Sequence, residues 1–369
     1  ALGWVPYVQS WILRVYEQKR RFVESNLDPN DPLAQGEDRL LTSVPVVSHA
    51  LLDHLFRVLE MLLPATLAFV QQKCTRPVMT TELNLVASCC TLFQACFTEE
   101  NLGLKPGGMN EKKDDELKVE LERVCIFAIV WSLGGALADG QRGDFSDFFE
   151  ALLEKTEGIE AEFPGRETVF SYMLSGMGKK SMQASDGFLE WHDKVSDFTF
   201  DHKMPFFEIL VPTVDTMTYS YLVERLLAVS KPTFLTGVTG TGKSSMISRM
   251  LSVIGSSGDE SSSGSNGGDG SDDSGSSAAG GGGGRGNTES SQAGGNMAGG
   301  EKKQDLGGAD DESNKDFVLV LQQIFSANTR SIIVQNEIEN NLEKKNRGAV
   351  LRGPGGAPVV LFVDDVNMP

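Results

Sequence analysis

Gly237-Val238-Thr239-Gly240-Thr241-Gly242-Lys243-Ser244 matches the phosphate-binding pattern GxxxxGK(S/T) at every position. In such a loop the glycines let the chain wrap until backbone N–H groups face a phosphate. The N-terminus of the next helix adds its partial positive charge. Lys243 has the reach for β- and γ-phosphates, and the Ser244 hydroxyl is a ligand for Mg²⁺. The flanks agree with this reading. Thr233–Thr236 reads as a short strand and Ser244–Ile254 as a helix, the strand–loop–helix order the motif requires.

Downstream, residues 255–312 are low-complexity Gly, Ser and Asp. They hold 19 of the 40 glycines with 11 acidic and 3 basic residues, so much of the net charge of −18 is local. That composition cannot bury enough apolar surface to fold, and the segment reads as a disordered insertion. Order is expected to resume with the apolar run Phe317–Phe325, a polar helix over Ile332–Lys345 and a turn at Arg352–Ala357. Val359–Val363 follows, five apolar residues in a row, the pattern of a parallel strand covered on both faces. It ends in Asp364-Asp365. A carboxylate at the carboxyl end of such a strand lies where α/β sheets bind ligands, so Asp364 is the candidate to hold Mg²⁺ opposite Ser244. Lys243 and Asp364 stand 121 residues apart, and the 58-residue insertion accounts for nearly half of that span.

Other nucleotide classes fit poorly. Asn314-Lys315-Asp316 sets its Asp one place early for the guanine-reading NKxD. Ser132-Leu133-Gly134-Gly135 lies upstream of the loop and in the wrong order for LSGGQ, so that glycine pair reads as close helix packing.

Residues 1–100 read as helical. Trp11, Val15 and later Leu51, Leu52, Leu55, Phe56, Leu59, Leu62 and Leu63 recur at helical spacing, with breaks at Asn26–Asp38 and Lys73–Met79. Leu83–Phe97 is a further apolar helix, and Leu102–Glu116 is Gly-, Pro- and charge-rich, as a linker is. A long apolar helix runs from Leu117 through Trp131, Phe145–Leu153 follows, and Gly158 to Pro205 predicts loops and short strands. The five cysteines form no CxxC pair and sit among apolar neighbours, as buried reduced thiols do. The four histidines show no metal-ligand spacing. The acidic balance argues against nucleic acid, whose phosphates need a basic face. No apolar run reaches the ~18 residues of a membrane span; Cys125–Ala138 comes nearest and reads as a buried helix.

With the phosphate loop upstream, Phe362-Val363-Asp364-Asp365-Val366-Asn367-Met368-Pro369 resembles the third AAA+ module of a dynein heavy chain. Asp-Asp-x-Asn-Met-Pro is the axonemal form rather than the cytoplasmic one. Val211-Pro212-Thr213-Val214-Asp215-Thr216 and Phe325-Ser326-Ala327-Asn328-Thr329 are similar to segments of the same module. Trp131-Ser132-Leu133-Gly134-Gly135 resembles its start, and Gly3-Trp4-Val5-Pro6-Tyr7-Val8-Gln9-Ser10-Trp11 resembles the end of the second module.

The resemblance implies an α/β P-loop NTPase core of the AAA+ type, incomplete and preceded by a largely α-helical segment. It divides the chain into the helical end and lid of the second module (1–101), a linker (102–116), the start of the third module (117–254), the insertion (255–312) and the continuation to the metal-binding strand (313–369). The whole reads as a fragment of a longer protein. Implied cofactors are ATP or ADP with Mg²⁺, and Val211, Pro212 and Thr213 lie against the adenine. Implied partners are neighbouring AAA+ modules, a microtubule gripped through a stalk outside this stretch, and intermediate and light chains. The implied setting is the cytoplasm and cytoskeleton, in the axoneme of a cilium or flagellum. In that family six AAA+ modules form a ring that drives minus-end-directed movement on microtubules; the first module does the main hydrolysis, and the third binds nucleotide and regulates how strain and nucleotide state pass round the ring.

One departure concerns catalysis. Most AAA+ enzymes carry a Glu after the metal-binding Asp to polarise the attacking water. Asp365 stands there instead, one methylene shorter. A setback of roughly 1–1.5 Å can lower a rate ~10²-fold, so binding is expected to outlast hydrolysis. A midasin-like AAA+ machine, or a structural nucleotide-binding module without turnover, are the alternative readings.

Overall fold

A computed structural model describes residues 3–25, 48–104, 114–165, 167–174, 187–195, 198, 211–256, 318–326, 328–343, 351, 353–354 and 357–366. The break at Asn26–Asp38 lies outside them, as does the expected insertion from residue 257 onward. The chain forms two compact units, Ala1–Ile247 and Ser248–Pro369.

The first unit is helical for reasons visible in its caps and stripes. Helix α1 (Trp4–Ser25) buries Val8, Trp11 and Ile12. Helix α2 (His49–Lys73) starts where the Ser48 side chain accepts from Leu51 N, and buries Leu51, Leu55, Leu59, Leu62, Leu63 and Val70 along one face. Pro64 sits inside it on the exposed side, where the carbonyl it leaves unbonded can turn to water. Helix α3 (Glu82–Cys96) opens on a reciprocal cap between Thr81 and Asn84. Helix α4 (Asp114–Ile129) places Asp114, Asp115 and Glu116 in its first turn, against the positive end of the helix dipole.

The ladder of α4 then widens into a single π turn, Val130–Gly134. A Cβ on Gly134 would come within 2.6 Å of Phe145 Cε1 and 2.8 Å of Phe170 Cζ. The close packing expected at this glycine pair is therefore present, with Phe145 supplied by helix α5 (Arg142–Lys155). Strands β1 (Tyr172–Leu174) and β2 (Phe188–Glu190) pair antiparallel, and helix α6 (Val214–Ala228) follows.

Buried side chains from Val8 to Tyr221 form one contiguous core. Leu102, the first residue of the expected linker, and Leu117, the residue after it, are both within it. A buried carboxylate ties the core together. Glu122 on α4 has Oε1 2.6 Å from His54 Nε2 on α2, while its Oε2 accepts from the amides of Glu160 (2.7 Å) and Ala161 (3.0 Å). All five cysteines are free thiols and four are buried; burial pushes Cys89 and Cys96 up to about 12 and raises Cys90 and Cys125 as well. Among the described residues no helix is long and apolar enough to cross a membrane.

In the second unit, strand β3 (Leu319–Ile324) and strand β4 (Val359–Asp364) pair in parallel, from Leu319 with Val359 to Ile324 with Asp364. Helix α8 (Ser331–Asn340) lies in the crossover that parallel pairing demands. It ends at Asn340, short of the expected Lys345. The expected turn closes through Gly353 N to Ala357 O and Ala357 N to Pro354 O.

Two strand expectations are corrected. Residues 231–238 join no ladder among the described residues, so Thr233–Thr236 is not a strand there: four residues of strand composition form one only beside a partner. β4 is parallel but not covered on both faces, since Val359 and Leu361 are 36% and 41% exposed. Both faces of a strand are covered only where other elements pack on each, and over Val359 and Leu361 they do not.

Candidate nucleotide site

The phosphate loop sits between two helices. Helix α6 ends in a tight turn, with Ser230 in the left-handed region (φ 53°) and Lys231 N bonded to Leu226 O at 2.9 Å. Six residues later the loop begins, and it leads straight into helix α7 (Lys243–Ser256), whose Met246 N is bonded to Gly242 O at 2.9 Å.

Gly240 and Gly242 have φ of +83° and +79°, values that side-chain-bearing residues resist, so these two glycines set the loop's path. Gly237 has no such constraint; a Cβ there would make ordinary contact with the Lys243 stem. Lys243 folds back over the loop, its ammonium 3.0 Å from Gly237 O, 2.7 Å from Val238 O and 3.3 Å from Thr241 Oγ1. Thr241 Oγ1 in turn donates to Val238 O. The structure thus gathers Gly237, Val238, Thr241 and Lys243 around one cation, with Thr239 and Gly240 forming the turn between them. α7 has no acidic residue in its first turn, so the positive end of its dipole is not neutralised from within. Ser244 is the second residue of that turn, half-buried.

Val211 and Pro212 lead into α6, and Thr213 caps it. Thr213 Oγ1 accepts from Thr216 N at 3.2 Å, while Thr216 Oγ1 accepts from Thr213 N at 2.8 Å. The Thr213 side chain is therefore engaged in the helix start. Val211, half-exposed, and the neighbouring backbone are what this segment can offer a ligand.

Asp364 is the last residue of β4, at the carboxyl end of the parallel pair, and its backbone carbonyl accepts from Phe325 N at 3.1 Å. Asp364 Oδ1 accepts from Asp365 N at 3.0 Å. Asp365 has φ 54°, a left-handed conformation that Asp tolerates better than most residues. Nothing in an Asp-Asp dipeptide announces that turn. The phosphate loop belongs to the first unit and the Asp364–Asp365 pair to the second.

A glycine-guided phosphate loop opening a helix, and a parallel strand ending in carboxylates, are each features of the P-loop nucleotide-binding class. The Dynein heavy chain AAA lid domain family matches residues 45–184. The family described as P-loop containing dynein motor region matches residues 198–261 and 309–369. The human protein Dynein axonemal heavy chain 6 is 25% identical over the whole chain, and the human Dynein axonemal heavy chain 2 is 26% identical. The pig protein Dynein axonemal heavy chain 11 is 30% identical over 251 residues, 68% of the chain and 4% of its own length. The chain belongs to the dynein heavy chain family, on its axonemal side. It spans about 6% of the length of the first two of these relatives.

Proposed function

We propose that the chain carries the nucleotide site of the third AAA+ module of an axonemal dynein heavy chain, where ATP or ADP binds with Mg²⁺ and regulates the motor. What supports this is the loop itself: two glycines in left-handed conformation, an ammonium held over the loop, and a helix start immediately behind it. The span of the lid match, 45–184, supports assigning those residues to the lid preceding this module, with the module itself beginning near residue 198.

The donor set suits the cofactors. The Ser244 hydroxyl and the Asp364 carboxylate are hard oxygen ligands of the kind Mg²⁺ takes. When bound, the metal neutralises phosphate charge. The residues of the chain do the rest: loop amides from Gly237 to Lys243 donate to phosphate oxygens, and Lys243 turns its ammonium toward them. Val211, Pro212 and Thr213 lie beside the base, and Asp365 orients a water. With Asp365 in place of Glu, occupancy rather than turnover is the signal this site sends. A nucleotide held permanently for structure is the second reading, favoured by the same short carboxylate.

In the parent motor this module sits between neighbouring AAA+ modules. Its output is microtubule movement in the axoneme of a cilium or flagellum, with intermediate and light chains bound elsewhere; nucleic acid and membrane have no part. The test is titration with a fluorescent ATP analogue. Lys243→Ala should weaken binding by about 10- to 100-fold, the value of a charge-assisted bond. Unchanged affinity would remove the loop from the site.

A further inference from the structure

Helix α6 is the element between the core of the first unit and both nucleotide segments of that unit. Val211–Thr213 forms its start, and the phosphate loop begins nine residues after its end. Two tyrosines hold it to the core. Tyr219 accepts a hydrogen bond from Arg142 Nη2 at 2.9 Å. The same guanidinium lies 5.4 Å from the Phe170 ring centre, and Trp131, within the π turn, meets Tyr219 edge-on at 6.1 Å. Tyr221 donates to Cys96 Sγ at 3.9 Å, packs against Phe127 and Trp191, and has Arg225 and Lys194 over its ring at 5.2 and 5.7 Å. Phe170, Trp131, Phe127 and Arg142 all lie inside the 45–184 lid match, whereas both tyrosines lie inside the motor-region match.

We infer that Arg142 and Tyr219 are positioning residues which set the pose of Val211–Thr213, so that the preceding lid tunes how tightly this site holds the base of a nucleotide. The inference rests on the nucleotide reading above. Its physical content is a lever. α6 is capped at Thr213, so a change in its seating carries Val211 and Pro212 with it. The phosphate loop has an irregular stretch, 231–236, between itself and the helix, and is buffered from that motion. The base end of the site should therefore feel the Arg142–Tyr219 bond, and the phosphate end should not.

Tyr219→Phe is the sharp variant, since it deletes the acceptor oxygen and keeps the ring beside Trp131. In the full chain, affinity is measured for ATP and for inorganic tripolyphosphate, beside the thermal midpoint. ATP affinity should fall about fivefold, the net weight of one ordinary hydrogen bond, with tripolyphosphate unchanged and the midpoint within about 2 °C. Arg142→Lys, which keeps the charge but not the planar fork over Phe170, should reproduce the split and covers the case in which Tyr219→Phe fails to fold. Equal losses for both ligands, or no loss for ATP, overturn the inference. Lys243→Ala separates the two levels: if it leaves both ligands bound as before, the nucleotide reading itself has failed rather than the coupling.

Discussion

Lys243 Nζ lies 2.7 Å from the carbonyl oxygen of Val238, five residues back along the same loop. The cation is thus presented by the loop's own backbone, held over the turn where phosphates are expected. Replacing Lys243 by Ala in the intact motor should slow filament gliding and leave basal ATPase activity largely in place, because the main hydrolytic site is expected in another module. Gliding velocity recorded beside bulk ATPase decides this. A velocity equal to wild type makes the site a structural nucleotide sink.

Glu122 should be among the most sensitive positions for stability. Its carboxylate is fully buried and meets His54 and the amides of Glu160 and Ala161. Glu122→Ala leaves three polar groups without their partner and should cost about 3–5 kcal/mol. Chemical denaturation measures it. A loss below about 1 kcal/mol would mean water replaces the carboxylate at no penalty.

At Asp365 the backbone and the side chain make opposite demands. Its φ of 54° suits Gly best, while any role in orienting water needs the carboxylate. Asp365→Gly should therefore leave stability unchanged or raise it by up to about 1 kcal/mol while abolishing whatever turnover the site has. Asp365→Glu should raise single-site turnover if chemistry limits it. Should Asp365→Glu bind ATP normally and hydrolyse it no faster, carboxylate length is not what holds this site back.

The motor-region match breaks off at residue 261 and resumes at 309. Excision of residues 262–308 should leave ATP affinity within about twofold of the parent chain. A tenfold loss would assign the Gly/Ser/Asp segment a part in binding.

What could be read from the residues alone follows the range over which each signal acts. The α2 stripe and the phosphate loop are each written within a few residues, and they are found as a helix and as a turn opening a helix where their chemistry sits. Parallel pairing of β4 was legible in its apolar run. Its exposed Val359 and Leu361 were not, because coverage depends on neighbours rather than on the strand. That Leu102 and Leu117 share one core is not legible in the Gly- and Pro-rich composition of 102–116, because packing depends on partners distant in the chain. Likewise the joining of α6 to that core through Tyr219 and Tyr221 depends on Arg142 and Cys96, far away in the chain.

The indoles around helix α6 give the first unit an optical signature. Trp191 is fully buried and Trp131 nearly so, and they meet Tyr221 and Tyr219 respectively. Indoles sealed from water emit at short wavelength, and the emission moves to the red as water arrives. Unseating α6 would wet both rings without melting a single helix. Native tryptophan fluorescence, with no label attached, should therefore register the docking of this helix separately from the loss of helical dichroism.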